Sequence, residues 1–256
     1  MNYKIMKKHF LTLVLAFLPA FAFAVGGGAK IDHAPIDISD TESIKRGAKH
    51  FVDYCFSCHS AEYMRYNRIA RDTGMSEAEL RENLIHTTNE KGEPTKVGEL
   101  MKASMSDEYA KQAFGIEVPD LTLVARARGA DWLYTYLRTF YADPDRPTGM
   151  NNLVFPDVGM PHVLQSLQGT QKAIFKTETR QGVEVEVIEG LEIAQPGSMT
   201  TEEYDAFVTD LVNFMVYLAE PVQTERRSLG FKVLIFLAIF FVFAYLLKKE
   251  YWKDVH

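Results

Sequence analysis

The only two cysteines of this 256-residue chain stand together in Cys55-Phe56-Ser57-Cys58-His59. C-x-x-C-H is the spacing by which a c-type haem is attached: each thiol adds to one vinyl group of the porphyrin, and the adjacent histidine supplies the proximal ligand to iron. With no further cysteine, the chain has no thiol left over for a disulfide or a zinc cage. A thioredoxin-like pair would follow a strand and open a helix, and nothing around Cys55 reads as a strand. A zinc site would need a second C-x-x-C or paired histidines, which the pattern lacks. The pentad therefore predicts one covalently bound haem c, attached at Cys55 and Cys58, with His59 on the metal.

Whether such an iron carries electrons or binds substrate depends on its sixth position. Residues 25–228 offer Met64, Met75, Met101, Met105, Met150, Met160, Met199 and Met215. Met64 follows His59 too closely to reach the opposite haem face. Met215 belongs to an apolar helical stripe, Met199 borders a helix cap, and Met75, Met101 and Met105 lie in a polar, helix-patterned stretch. Met160 stands in Phe155-Pro156-Asp157-Val158-Gly159-Met160-Pro161, which its glycine and prolines hold in a non-helical shape. Such a loop can aim a thioether at iron, so Met160 is the candidate; His162 and an open position are the alternatives. Met/His ligation raises the potential and fills the iron, which suits one-electron transfer.

These residues must be positioned by helices. Ile44, Gly47, Ala48, Phe51, Val52 and Cys55 recur at helical spacing, behind Asp40, Thr41 or Ser43 as caps. Gly47 predicts close approach of a second helix. Thr200-x-x-Glu203 is a capping box, followed by the stripe Phe207, Leu211, Phe214, Met215, Leu218 and closed by Pro221. An N-terminal and a C-terminal helix crossing beside a haem is the plan of class I c-type cytochromes. The expected fold is mainly α, a class I cytochrome c-like haem domain with insertions. Residues 177–193 alternate around Gln181-Gly182 as a small β hairpin. Within residues 62–118, Ser76 to Arg81 opens a helix and Asn89 to Pro94 reads as a turn; neither carries a role.

Both ends of the chain are apolar, in different ways. Lys4, Lys7 and Lys8 precede an apolar run from Phe10 to Phe23, and Ala22-Phe23-Ala24 is a small-x-small cleavage pattern. Residues 1–24 thus read as a signal peptide and not as an anchor, the run being shorter than the roughly 20 residues of a span. Residues 229–247 carry one charge, Lys232, and at a rise of about 1.5 Å per residue reach roughly 28 Å, enough for one transmembrane helix. Lys248, Lys249, Tyr251, Trp252 and Lys253 follow as an interfacial belt. With export of residues 25–228, the tail 248–256 stays on the cytoplasmic side of a bacterial inner membrane. The exported part holds 21 Lys and Arg against 32 Asp and Glu, a net charge of −11. That balance disfavours nucleic acid and favours a basic protein partner.

The pentad behind Gly47 and Phe51, Val118-Pro119-Asp120-Leu121, Arg126-Ala127-Arg128-Gly129, Gly159-Met160-Pro161, and Leu218-Ala219-Glu220-Pro221 leading to one span run in order through the mature chain. Together they resemble the cytochrome c1 family, the haem c subunit of quinol–cytochrome c oxidoreductase (the cytochrome bc1 complex). The resemblance implies His59 and Met160 as axial ligands, and Cys55 and Cys58 as attachment points. It implies Arg128 facing a haem propionate and Pro119 packing near the haem edge; read from the residues alone, Arg126 or Arg128 could equally form a surface ion pair. It further implies a non-enzymatic electron-transfer subunit, working with cytochrome b, a Rieske iron–sulfur protein as donor and a cytochrome c as acceptor. Some members carry an extra disulfide in the haem domain, and this chain has no cysteine for one. The rival readings are a membrane-anchored monohaem cytochrome serving a terminal oxidase or dehydrogenase, a haem enzyme with an open position, and a structural protein with a chance pentad.

Overall fold

The computed structural model of the protein describes residues 30–89, 91–180 and 183–254. The expected signal peptide, its cleavage point before Val25, the Gly26–Gly28 run, the Gln181-Gly182 turn and the last two residues of the tail lie outside the described residues.

Helix α1 (Thr41–Tyr54) starts where Asp40 caps it, its carboxylate accepting from the Glu42 and Ser43 N–H groups at 3.0 Å each. That satisfies two of the N–H groups a helix start leaves orphaned. Its buried face is Ile44, Gly47, Ala48, Phe51 and Val52, and it packs on the long helix near the other end of the domain, Thr201–Ala219. There the Thr200 hydroxyl and the Glu203 side chain cap each other's backbone N–H groups. Gly47 allows the crossing: a Cβ built on it would fall on the Asp210 carbonyl oxygen and 2.7 Å from the Phe214 Cβ. Phe51 then meets Phe214 with ring centroids 5.6 Å apart. Polar bonds lock the same pair of helices, with Ser43 Oγ donating to Asp210 at 2.7 Å and Arg46 forking onto that carboxylate at 2.6 and 2.9 Å.

Residues 61–118 build a wall of short pieces. Strands β1 (Ala61–Arg65) and β2 (Leu100–Met101) pair antiparallel across a bulge. Between them lie α2 (Tyr66–Thr73) and α3 (Glu77–Asn83), the latter opened by a Ser76/Glu79 capping box. The turn near residue 90 is closed by a bridge between Thr88 and Pro94. Met64, Met75 and Met101 of this region are buried in the main core, so the polar stretch that holds Met75 and Met101 turns both of them inward. The next helix, α4 (Asp107–Phe114), ends at Gly115 with φ +76°.

Two short helices follow, α5 (Val124–Arg128) and α6 (Ala130–Arg138). They are hinged at Gly129, whose φ of +92° only glycine adopts without strain. Strands β3 (Phe140–Ala142) and β4 (Met150–Asn152) form a second antiparallel pair, and α7 (Gln165–Gln168) a single turn. Strands β5 (Gly169–Arg180) and β6 (Val183–Pro196) make a hairpin of 12 and 14 residues. It starts eight residues earlier than alternation alone marks, because β5 has little alternation of its own and is aligned by its partner.

The long helix Thr201–Ala219 is α8, and α9 runs from Gln223 to Tyr251. None of the 29 residues of α9 is buried, and Phe231, Leu234, Phe236, Phe241 and Phe243 are all more than 60 % exposed. A helix apolar on every side and covered by none of the described residues is matched by hydrocarbon and not by water. The expected span 229–247 lies wholly inside it.

Candidate haem-binding site

Helix α1 stops at Cys55, yet its turn continues through the pentad. The Cys58 and His59 N–H groups both donate to the Cys55 carbonyl, at 3.1 and 2.9 Å. One extra turn therefore brings both sulfurs and the imidazole to the same wall. Phe56, between the thiols, turns the other way into the core, edge-on to Tyr66 and 6.0 Å from Phe51.

That wall belongs to an almost wholly apolar cavity of about 500 Å³, within the range of about 300–1,000 Å³ usual for cofactor pockets. Tyr54, Cys55, Cys58 and His59 line one side. Pro119, Leu121 and Val124 continue it, Leu133, Tyr136 and Leu137 of α6 face inward, and α8 contributes Leu211 and Met215. The loop after β4 closes it with Phe155, Val158, Gly159 and Met160. Cys55, Cys58, His59, Pro119, Arg128 and Met160, widely separated in the chain, thus all reach one cavity.

Electrostatics favours neutral donors here. Burial, with Cys58 beside it, pushes the Cys55 thiol up to about 12. Burial also lowers His59 below the usual imidazole value, against weaker raising effects of the Pro119 carbonyl and Asp120. A neutral imidazole is the ligating form. Its Nδ1 lies 2.7 Å from the Pro119 carbonyl oxygen, which accepts the Nδ1 proton and leaves Nε2 as the free nitrogen. Pro119 thus lines the cavity and also acts through its main-chain carbonyl. An apolar slot with two thiols, one fixed neutral imidazole and one thioether fits a covalently attached haem.

Of the eight methionines between 64 and 215, only Met160 and Met215 line this cavity among the described residues. Two buried asparagines also hold the Met160 loop. Asn152 Oδ1 accepts from the Val154 and Phe155 N–H groups at 3.0 and 3.2 Å, and Asn151 Oδ1 from Asp157 N–H at 2.9 Å. Asp157 takes φ +63°, the only positive φ of a non-glycine residue among those described, and Arg146 pairs with it at 2.5 Å. The Met160 sulfur accepts a hydrogen bond from Tyr136 Oη at 3.3 Å; burial raises that phenol well above its ordinary value, so it keeps its proton. His162, the alternative ligand, does not line the cavity. Its buried ring lies flat on Phe140, centroids 4.8 Å apart.

Arg128 sits at the rim, its guanidinium 5.1 Å from the Trp132 ring centroid and 5.9 Å from that of Phe155. Among the described residues no carboxylate pairs with it. Arg126 does not line the cavity, and it contributes only weakly, behind the Arg226 and Gln223 hydrogen bonds, to holding the Glu220 carboxyl below the usual carboxylate range. Arg128 is thus the guanidinium available to an anionic group at the cavity mouth. Sequence reading missed Tyr136, Trp132, Asn151 and Asn152. Only the one-turn spacing of Trp132 and Tyr136 could have put these two on one face of α6.

The sequence profile of the cytochrome C1 family matches residues 32–255. A cytochrome c1 of Allochromatium vinosum is 48% identical over 251 residues, 98% of this chain and 100% of that one. A protein of Nitrosomonas europaea named ammonia monooxygenase gamma subunit is 51% identical, covering 96% of this chain and 98% of its own length. The mitochondrial cytochrome c1 haem protein of Saccharomyces cerevisiae is 25% identical over 254 residues, 93% of this chain and 72% of that one.

Proposed function

Because the chain belongs to the cytochrome c1 family, whose members carry one covalently bound haem c, we propose that it is the electron-transfer haem subunit of a cytochrome bc1 complex, membrane-anchored through α9. The observation that carries the reading is the single apolar cavity uniting Cys55, Cys58, His59 and Met160. Cys55 and Cys58 would hold the porphyrin by thioethers, and His59 and Met160 the iron. Arg128 would pair with a propionate at the rim, where stacking on Trp132 already orients its guanidinium. When bound, the haem supplies a one-electron iron couple. The chain would exclude water from it with leucines, valines and aromatic rings, fix the imidazole tautomer through Pro119, and offer the Met160 thioether as a second donor to the iron.

The finer assignment places residues 25–228 in the periplasm, 229–247 in the inner membrane and 248–256 in the cytoplasm. There the subunit receives electrons from a Rieske iron–sulfur protein and delivers them to a cytochrome c, beside a cytochrome b that handles the quinol. The exported part's excess of acidic side chains suits attraction of a basic acceptor. Solubilising the membrane and isolating the chain tests this: a b-type cytochrome and an iron–sulfur protein should accompany it. A haem-staining chain that emerges alone refutes the complex.

The name of the Nitrosomonas relative suggests oxygenase chemistry, which needs an open position on iron. Met160 in the cavity supports a filled one. Carbon monoxide separates the two, since a Met-ligated iron resists it and an open iron binds it at once.

A further inference from the structure

Resting on the reading of Met160 as an axial ligand, we propose that Tyr136 tunes the reduction potential of the bound iron by hydrogen-bonding its phenol to the Met160 sulfur. The bond is present in the structure, Tyr136 Oη to Met160 Sδ at 3.3 Å. A thioether sulfur has two lone pairs; a bound metal would take one and leave the other to accept the phenol's hydrogen bond.

The phenol is aimed by everything around it. Its ring stacks on Trp132 at 4.9 Å with only 9° between planes, and meets Phe140 edge-on at 5.1 Å. Asn152 Nδ2 donates to the Tyr136 carbonyl at 2.8 Å while its Oδ1 holds the Val154 and Phe155 N–H groups. One asparagine thus ties the helix carrying the donor to the loop carrying the acceptor. Packing alone would be served equally well by phenylalanine. A hydroxyl inside an almost wholly apolar cavity is costly unless it has a partner, and the sulfur is the partner it has.

The direction of the effect follows from donor strength. A hydrogen bond draws electron density from sulfur and weakens its donation to iron. Ferric iron needs that donation more than ferrous iron does, so the bond favours the reduced state and raises the potential. Hydrogen bonding to ligands is one of the levers by which a protein sets haem potentials.

The test is redox titration of the purified holoprotein, wild type against Tyr136→Phe, with the weak Met-to-iron charge-transfer band recorded on each. Phenylalanine keeps both ring contacts and removes only the donor. The expected result is an intact band in both proteins and a lower midpoint potential in the variant. An intact band with an unchanged or higher potential overturns the role of Tyr136. Absence of the band from the wild type overturns Met160 ligation itself, a distinguishable failure. Should Tyr136→Phe fail to take up haem, site-specific replacement of Tyr136 by a ring-fluorinated tyrosine decides the matter. Its more acidic phenol must raise the potential, and no rise refutes the proposal.

Discussion

His59 and Pro119, 60 residues apart, are joined by a bond from imidazole Nδ1 to the main-chain carbonyl oxygen at 2.7 Å. The carbonyl chooses the tautomer and the angle of the ring, so the segment carrying Pro119 positions His59 as surely as the pentad does. That segment is stitched to the strand beyond the pentad: Leu121 N–H donates to the Ser60 carbonyl at 2.9 Å, and the Asp120 carboxylate accepts from Glu62 and Thr122 N–H groups at 2.7 and 2.8 Å.

Asp120→Ala should therefore loosen the support of His59 without touching any group in the cavity. Two acceptors on an exposed carboxylate are lost, and the expected cost is about 0.5–1.5 kcal/mol of stability. A urea titration followed at the Soret band should show a lower midpoint with unchanged slope. An unmoved midpoint would mean the segment is held by other contacts.

Met160→Leu removes the proposed sixth ligand while keeping its volume. The charge-transfer band should vanish, the midpoint potential should fall, and carbon monoxide should bind. Met215→Leu is the matched control, since Met215 also lines the cavity but belongs to the packed stripe of α8. If Met215→Leu loses the band and Met160→Leu keeps it, the ligand has been misassigned.

Gly47→Ala places a methyl group against the main chain of α8, at the Asp210 carbonyl and 2.7 Å from Phe214 Cβ. Neither obstacle is a flexible side-chain end, so the helices must separate. Overpacking of this kind costs about 1–3 kcal/mol, occasionally more. The thermal midpoint of the holoprotein should drop, and a variant as stable as wild type would show that the crossing yields easily.

His50 lies against Phe207, ring centroids 4.0 Å apart, and burial lowers its pKa despite the weaker opposing effects of Asp210 and Asp53. Below its unfolded value of about 6.5 the unfolded chain takes up the proton first, so the folded state loses stability as pH falls through that point. The loss levels off below the folded pKa. His50→Phe keeps the stack and removes the titration. Urea midpoints at about pH 7.5 and about pH 5.5 should converge more closely in the variant than in wild type; equal pH dependence would sink the assignment.

How much of this was written in the chain is clearest from what each feature is made of. The attachment pentad, the Thr200/Glu203 box, the Asp40 cap, the small residue at Gly47 and the apolar span of α9 are each set within a few residues. Their geometry follows from helical repeat and covalent spacing, so residue types suffice to read them. Met160 was legible as a candidate because its neighbours prescribe a loop, although what fixes that loop, Asn151 and Asn152, was not.

The tertiary structure decided the rest. The Pro119 carbonyl on His59 is a main-chain contact, and main-chain atoms carry no mark in a sequence. Tyr136 meets Met160 only because β3 and β4 pair and Asn152 bridges the helix to the loop. Arg128 was separated from Arg126 by which of them lines the cavity, a matter of distance across the fold and not of spacing along it. Local order is encoded by bonds and repeats a few residues long. Contacts over dozens of residues exist only once the chain has closed on itself and excluded water.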